Sequence, residues 1–71
     1  MEFNTEIFGE RLNEIRVKSG ITTVKLGKAI GVTDSTISMW ENGKIRPSVE
    51  SLYRLAKFFN VPAGYLIGTE G

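Results

Sequence analysis

The sequence contains neither cysteine nor histidine. The chain therefore has no disulfide, no zinc site built from the usual ligands, and no Cys- or His-based nucleophile or general base. These absences weigh against an enzyme, and nothing in the sequence indicates a cofactor, a metal or a small-molecule ligand. The lack of cysteine is compatible with the reducing cytosol, so we expect a cytoplasmic protein.

Long apolar runs are also missing. No run approaches the roughly 20 residues that a membrane-spanning helix requires, and no signal peptide opens the chain, so we expect a soluble protein without a membrane partner. A length of 71 residues is near the lower end of what one hydrophobic core can stabilise without disulfides. We predict a single domain over 1–71, with its core at about 6–68 and flexible ends at 1–5 and 69–71.

Charge is unevenly distributed along the chain, although the net charge is only +1. Residues 1–14 carry four glutamates and one arginine, whereas residues 15–47 carry six cationic and two acidic residues. A basic middle segment is compatible with a nucleic-acid partner. An ordinary solvated surface has the same count, so charge alone leaves both interpretations open.

Five short segments have the apolar spacing of helices, and none has the period-two alternation of a strand. The defining apolar residues are Phe8, Leu12 and Ile15; Val24, Leu26, Ala29 and Ile30; Ile37 and Trp40; Leu52, Leu55, Ala56 and Phe59; and Ala63, Tyr65, Leu66 and Ile67. The spacing predicts an all-α fold of five short helices around one core.

Capping and breaking residues place the ends of these helices. The first is predicted from about Glu6 to Ser19, with Thr5 as its cap and Gly20 as its stop. The second follows Thr22 and ends at Gly31, and the third is capped by Thr33 and ends near Asn42 and Gly43. Ser48 caps the fourth, which Asn60 ends, and Pro62 occupies the first position of the fifth.

The connection between the second and third predicted helices is the tight turn Ile30-Gly31-Val32-Thr33. Such a turn holds two helices at a steep angle. One helix can then rest on the DNA backbone while the next projects its free face into the major groove, a face formed here by Asp34, Ser35, Ser38 and Met39. Any small helical bundle contains a short turn with a glycine, so this spacing is a weak signal by itself.

A larger set of residues carries a specific resemblance. It comprises Ser35 to Ser38, Trp40 to Gly43, Lys44, Arg46, Pro47, Leu52, Leu55 and Ala56, with Arg16, Gly20, Leu26, Gly31 and Val32 at matching separations. From about Gly9 to Gly68 the chain resembles the Cro and phage-repressor type of helix-turn-helix regulators, the xenobiotic-response-element family. The resemblance implies a lambda-repressor-like fold whose second and third helices form the helix-turn-helix. It also implies sequence-specific binding of double-stranded operator DNA, as a phage- or prophage-type repressor.

The same resemblance implies two structural roles. Arg16 and Glu41 would form an ion pair that fixes the first and third helices relative to each other, although two unrelated surface charges are the alternative. Trp40 would be a core residue whose indole nitrogen finds a hydrogen-bond partner, rather than a base-stacking residue.

Contacts to DNA are likewise implied. The phosphate contacts would be Thr23 and Lys25 at the start of the second helix, with Asn42, Gly43, Lys44 and Arg46 after the third. An ordinary solvated loop is the alternative for the last two. Base contacts would come from Asp34, Ser35, Thr36 and Met39.

At three of these positions the chain departs from the pattern common in the family. Thr23 and Asp34 stand where many members have glutamine, and Met39 stands where several have a basic residue or glutamine. Aspartate can accept from a cytosine amino group and methionine can contact a thymine methyl. Asp34 alternatively interacts only with the dipole of the third helix.

Repressors of this fold usually act as dimers on two half-sites about 34–36 Å apart, so the resemblance implies a homodimer on DNA. Phe58, Tyr65, Leu66 and Ile67 form either its surface or part of the core. Gly68 to Gly71 reads like the start of a linker, as in the N-terminal part of a longer repressor. Because fold does not dictate function, a protein-interaction module and an antitoxin-like regulator remain alternatives.

Overall fold

The computed structural model describes residues 3–70, which form five α-helices and no strand. These are α1 (Thr5–Lys18), α2 (Thr23–Ile30), α3 (Asp34–Glu41), α4 (Val49–Phe59) and α5 (Ala63–Ile67). The predicted all-α fold of five helices is confirmed. No helix in this range is both long enough and apolar enough to cross a lipid bilayer.

The start of α1 differs from the prediction. Asn4 is the cap, because its Oδ1 accepts from the backbone N–H groups of Glu6 and Ile7, each at 3.0 Å. The prediction of Thr5 as the cap was wrong, since Thr5 is already the first helical residue. Asn4 and Thr5, within the segment predicted to be a flexible end, thus belong to the start of the helix. Residues 1, 2 and 71 lie outside the described range.

The three central helices begin where short polar side chains can cap them. The hydroxyl oxygens of Thr22, Thr33 and Ser48 each accept from the backbone N–H three residues later, at 3.1, 3.1 and 3.0 Å. The expected caps at Thr33 and Ser48 are therefore confirmed. Pro62 is one position off: it precedes α5 with an extended backbone (ψ 147°) instead of forming its first turn.

Eight apolar side chains form the core, and each is at most 4% exposed: Phe8, Leu12, Leu26, Ile30, Ile37, Trp40, Leu55 and Leu66. Of the four apolar residues whose spacing predicted α2, Leu26 and Ile30 are buried, whereas Val24 and Ala29 are exposed. Val24 is two residues from Leu26, which places it about 200° away around the helix. The short α2 buries only the face that contains Leu26 and Ile30.

Two glycines allow the helices around α3 to approach closely. A methyl group added at Gly9 would lie 2.5 Å from the carbonyl oxygen of Trp40, and one at Gly27 would lie 2.6 Å from that of Val32. Any side chain at these positions would push α1 or the turn after α2 away from α3. The orientation of α3 therefore depends on backbone contacts at two glycines.

Candidate nucleic-acid interface

The turn between α2 and α3 is as short as the sequence predicted, with Gly31 at its first position. Gly31 adopts the left-handed conformation (φ 83°), which a side chain would strain. The N–H groups of Gly31 and Val32 both donate to the carbonyl oxygen of Gly27, at 2.8 and 2.9 Å. Only Gly31, Val32 and Thr33 separate α2 from α3, and α3 begins directly after the Thr33 cap.

One side of α3 packs into the protein and the other faces solvent. Ile37 and Trp40 are buried, whereas Asp34, Ser35, Ser38 and Met39 are exposed. Of the residues predicted to contact bases, Asp34, Ser35 and Met39 therefore lie together on the free face. Met39 presents an apolar group there, with 39% of its surface exposed.

Thr36, the fourth residue predicted to contact bases, has a different environment. It is half-buried, and its hydroxyl is hydrogen-bonded at 3.0 Å to that of Thr33. Its backbone N–H also donates to the Thr33 hydroxyl, so the side chain belongs to the cap of α3. Ser38 lies on the exposed face instead, one turn after Asp34 and Ser35.

The residues predicted to contact phosphates lie at the two ends of the helix-turn-helix. Lys25 is exposed in the first turn of α2, and Thr23 is half-buried as the first residue of that helix. After α3, Asn42 is exposed as the C-cap, Gly43 is half-buried, and Lys44 and Arg46 are exposed. Within residues 3–70, no carboxylate forms an ion pair with these three cations.

The other arginines are bonded to the protein itself. Nη1 of Arg11 donates to the carbonyl oxygen of Tyr65 at 2.9 Å, and its guanidinium carbon lies 4.8 Å from the centre of the Tyr65 ring. Nη1 of Arg54 donates to the carbonyl oxygen of Ile30 at 3.1 Å, at the end of α2 beside the turn. The sequence analysis missed both roles, and no local signal could have revealed carbonyl partners so distant along the chain.

Arg16 and Glu41 come together as a two-pronged pair between α1 and α3. Nε and Nη2 of Arg16 donate to the two carboxylate oxygens of Glu41, at 2.5 and 3.0 Å, and their side chains are only 16% and 10% exposed. Nη1 of Arg16 donates to the carbonyl oxygen of Ile21 at 2.9 Å. Nδ2 of Asn13, a partner that the sequence did not indicate, donates to Glu41 at 2.9 Å.

This network keeps the guanidinium charged and oriented. The hydrogen bond to Glu41 raises the pKa of Arg16 above its ordinary value; burial opposes this rise, and the negative charge of Glu41 adds to it. The pair connects α1 directly to α3, the helix whose exposed face contains Asp34, Ser35 and Met39.

Trp40 is a core residue, as expected, and is 2% exposed. Its ring packs edge to face on Phe8, with ring centres 6.1 Å apart. The expectation that its indole nitrogen finds a partner was wrong: Nε1 has no hydrogen-bond partner among the described residues. The ring is therefore held by apolar packing within the core, including its contact with Phe8.

Comparison with known proteins identifies relatives over most of the chain. The helix-turn-helix family model matches residues 12–66. Repressor protein C2 of Salmonella phage P22 is 38% identical over 64 residues, which are 90% of this chain and 30% of that protein. The transcriptional activator BcrR of Enterococcus faecalis is 37% identical over 70 residues, which are 99% of this chain and 32% of that protein. The chain thus spans about a third of the length of these two curated relatives.

A solved structure of the P22 c2 repressor in complex with a synthetic operator is similar in fold. It superposes with a TM-score of 0.84 at 35% identity, and the match covers 89% of this chain and 96% of that one. The arrangement of the helix-turn-helix in this chain is therefore similar to that of a repressor captured on operator DNA.

Proposed function

Because the chain belongs to the helix-turn-helix family of Cro and phage-repressor type, we propose that it is a transcriptional regulator that binds double-stranded operator DNA in a sequence-specific manner. The carrying observation is the exposed face of α3, held at a set angle by the Arg16–Glu41 pair and followed by cations that have no acidic partner in residues 3–70. This arrangement suits a helix that enters the major groove.

Backbone anchoring is the role we assign to the exposed cations. Lys44 and Arg46 follow α3 directly, and Lys25 lies in the first turn of α2, so phosphates on both sides of the groove can be contacted. The half-buried Thr23 and the residues Asn42 and Gly43 complete this proposed set. Such contacts fix the register and supply affinity without reading sequence.

Base reading is assigned to Asp34, Ser35 and Met39, which share the free face of α3. The Asp34 carboxylate can accept from the amino group of a cytosine, and the Met39 side chain can contact a thymine methyl. We assign Thr36 mainly a structural role in the cap of α3, because the hydrogen bond to the Thr33 hydroxyl engages its own hydroxyl. The preferred operator therefore depends on two side chains that differ from the common family pattern.

The mode of regulation and the assembly are proposals of the same kind. The simplest mechanism of repression is that a dimer occupies the promoter, so we propose that the chain acts as a homodimeric repressor. We propose the cytoplasm as its location. The relatives include both a repressor and an activator, which is consistent with a DNA-binding domain that serves either outcome. Residues 1–71 are proposed to form one such domain, without a catalytic role.

Selection of bound duplexes from a random pool, at a stated salt concentration, tests this function directly. We expect one enriched motif made of two half-sites with their centres one helical turn of DNA apart. Absence of any enriched motif would overturn the proposal and favour a protein-interaction or antitoxin-like module, to which Asp34 at the start of α3 would then be suited.

Anchoring is tested with Lys44→Gln and Arg46→Gln. Each is expected to weaken binding of all sequences alike and to reduce the slope of log affinity against log salt by about 1. Lys18→Gln is the matched control, because Lys18 is exposed beside Val61 and Tyr65, on the side of α1 that faces α5. Equal slopes for all three variants would rule out phosphate contacts from this loop.

A further inference from the structure

Two side chains of contrasting chemistry lie next to each other on the exposed face of α3. Ser35 and Met39 are both exposed, and they are four residues apart in the same helix. Side chains at this spacing are neighbours on a helix surface, with Cβ atoms about 5–6 Å apart. A hydroxyl group and a thioether therefore lie side by side on the surface that is proposed to enter the major groove. We call these two side chains the Ser35–Met39 pair.

Neither side chain is needed to hold the fold together. The buried residues of α3 are Ile37 and Trp40, on the other side of the helix. The Thr36 hydroxyl is hydrogen-bonded to that of Thr33, whereas the Ser35 hydroxyl has no such partner among residues 3–70. The backbone at Met39 is nevertheless fixed, because its carbonyl oxygen accepts from the N–H of Lys44 at 2.9 Å. The pair thus combines a fixed backbone with side chains that are available to a ligand.

The major-groove edge of a pyrimidine offers two adjacent groups to such a pair. Thymine has the O4 acceptor at C4 and a methyl group at C5, whereas cytosine has the N4 amino donor at C4 and only hydrogen at C5. A hydroxyl can donate or accept, so Ser35 can bond to either group at C4. The flexible, apolar side chain of Met39 gains from covering a methyl group at C5. The pair is therefore suited to detect the C5 methyl group, whichever group C4 carries.

We infer that the Ser35–Met39 pair recognises a C5-methylated pyrimidine, so that a methyl group at C5 strengthens binding in thymine and in 5-methylcytosine alike. The inference rests on the proposed function and deepens it, because it names the class of base that is read. It also adds a form of regulation. Where cytosine occupies this operator position, its methylation at C5 would strengthen binding without any change in base pairing.

Asp34 reads a different base pair. Asp34 and Met39 are five residues apart, which places them about 140° apart around the helix axis. The carboxylate therefore does not complete the Ser35–Met39 pair. The methyl effect and the cytosine contact assigned to Asp34 should appear at separate positions of the operator.

Duplexes that differ only in methyl groups at C5 test this inference. In the half-site obtained by selection, each thymine is replaced singly by deoxyuridine and each cytosine by 5-methyldeoxycytidine. At the position that responds, four labelled duplexes are then compared by fluorescence anisotropy at one salt concentration: those with the pairs T·A, U·A, 5-methyl-C·G and C·G. We expect loss of the methyl group to raise the dissociation constant about fourfold, both from T to U and from 5-methyl-C to C. Because each comparison keeps the purine partner, contacts to that purine cancel.

Variants of the pair show whether the methyl group is detected by the protein. Met39→Gln removes the apolar contact at nearly constant length and should reduce the methyl effect below about 1.5-fold. Met39→Leu is the matched apolar control and should keep the effect within about twofold of the original. Ser35→Ala should weaken binding to all four duplexes and leave the methyl effect in place. Any effect of the methyl group on the stiffness of the DNA itself would persist in Met39→Gln. Urea unfolding followed by Trp40 fluorescence verifies that each variant is folded.

The possible outcomes separate this inference from the proposed function. A methyl effect in both base pairs that disappears in Met39→Gln and persists in Met39→Leu supports the inference. A selected motif without any methyl effect, or with an equal effect in Met39→Gln, overturns the inference while the proposed function stands. An effect in thymine but not in 5-methylcytosine also overturns it, because the pair would then depend on the group at C4. If selection enriches no motif, the proposed function fails, and this inference fails with it.

Discussion

Glu41→Gln is the most informative single perturbation of this domain. The amide keeps the shape of the carboxylate but removes the negative charge that both Nε and Nη2 of Arg16 face. It also directs an NH2 group toward Arg16 or toward Nδ2 of Asn13, which are themselves donors. The Arg16 guanidinium would keep one full partner, the carbonyl oxygen of Ile21.

The expected loss follows from burial. Removing one member of a buried ion pair costs about 3–5 kcal/mol. Here the expected loss of free energy of unfolding is smaller, about 2–3 kcal/mol. The two side chains remain 16% and 10% exposed, and the glutamine amide still offers Arg16 one acceptor oxygen. For a domain of this size, with a total stability of about 4–10 kcal/mol, the melting temperature should fall by about 10–20 °C.

Urea unfolding followed by Trp40 fluorescence measures this loss. Trp40 is the single tryptophan, is buried, and precedes Glu41 in α3. Glu14→Gln, an exposed acid on α1, is the control and should change the free energy of unfolding by less than about 0.5 kcal/mol. If Glu41→Gln destabilises the protein no more than this control, the pair does not hold α1 and α3 together. The double variant Arg16→Met/Glu41→Leu should lose less free energy of unfolding than Glu41→Gln, because it leaves no buried charge without a partner.

Three other substitutions test separate parts of the structure. Gly27→Ala should cost about 1–3 kcal/mol in urea unfolding because its methyl group meets the turn backbone, whereas Ala29→Gly on the exposed face of the same helix should cost about 0.5–1 kcal/mol. Asp34→Asn should weaken discrimination for one cytosine in a repeated duplex selection, by about 1–3 kcal/mol; an unchanged preference would leave Asp34 only its interaction with the helix dipole. Arg54→Met removes the hydrogen bond to the carbonyl oxygen of Ile30 and should cost about 0.5–1.5 kcal/mol, with faster amide hydrogen exchange in the turn; exchange as slow as in the original chain would contradict that role.

Features that depend on near neighbours could be predicted from the sequence. The starts of α3 and α4 were predicted correctly because a cap bonds to an amide only three residues away. The free face of α3 followed from the spacing of Ile37 and Trp40, which are both buried. At α1 the same reasoning named Thr5, one residue too late: Asn4 can also cap a helix, and only the backbone decides which residue precedes the first turn.

Features that depend on distant neighbours could not be predicted. Arg11 donates to a carbonyl oxygen 54 positions away along the chain, and Arg54 donates to one 24 positions away. The sequence around an arginine does not show whether its guanidinium is bonded to such a carbonyl or is solvated. Apolar residues were equally ambiguous, since Val24 and Tyr53 are exposed.

The sequence by itself therefore determined the helices, because caps, breakers and helical periodicity act locally, and the set of residues from Ser35 to Pro47 with its matching outliers carried the resemblance to the family. Only the tertiary structure decided which cations have no acidic partner within residues 3–70, that the Thr36 side chain joins a cap, and that Val49 and Tyr53 of α4 are exposed. These properties arise where separate helices meet, and burial and hydrogen bonding there depend on packing that no local pattern contains.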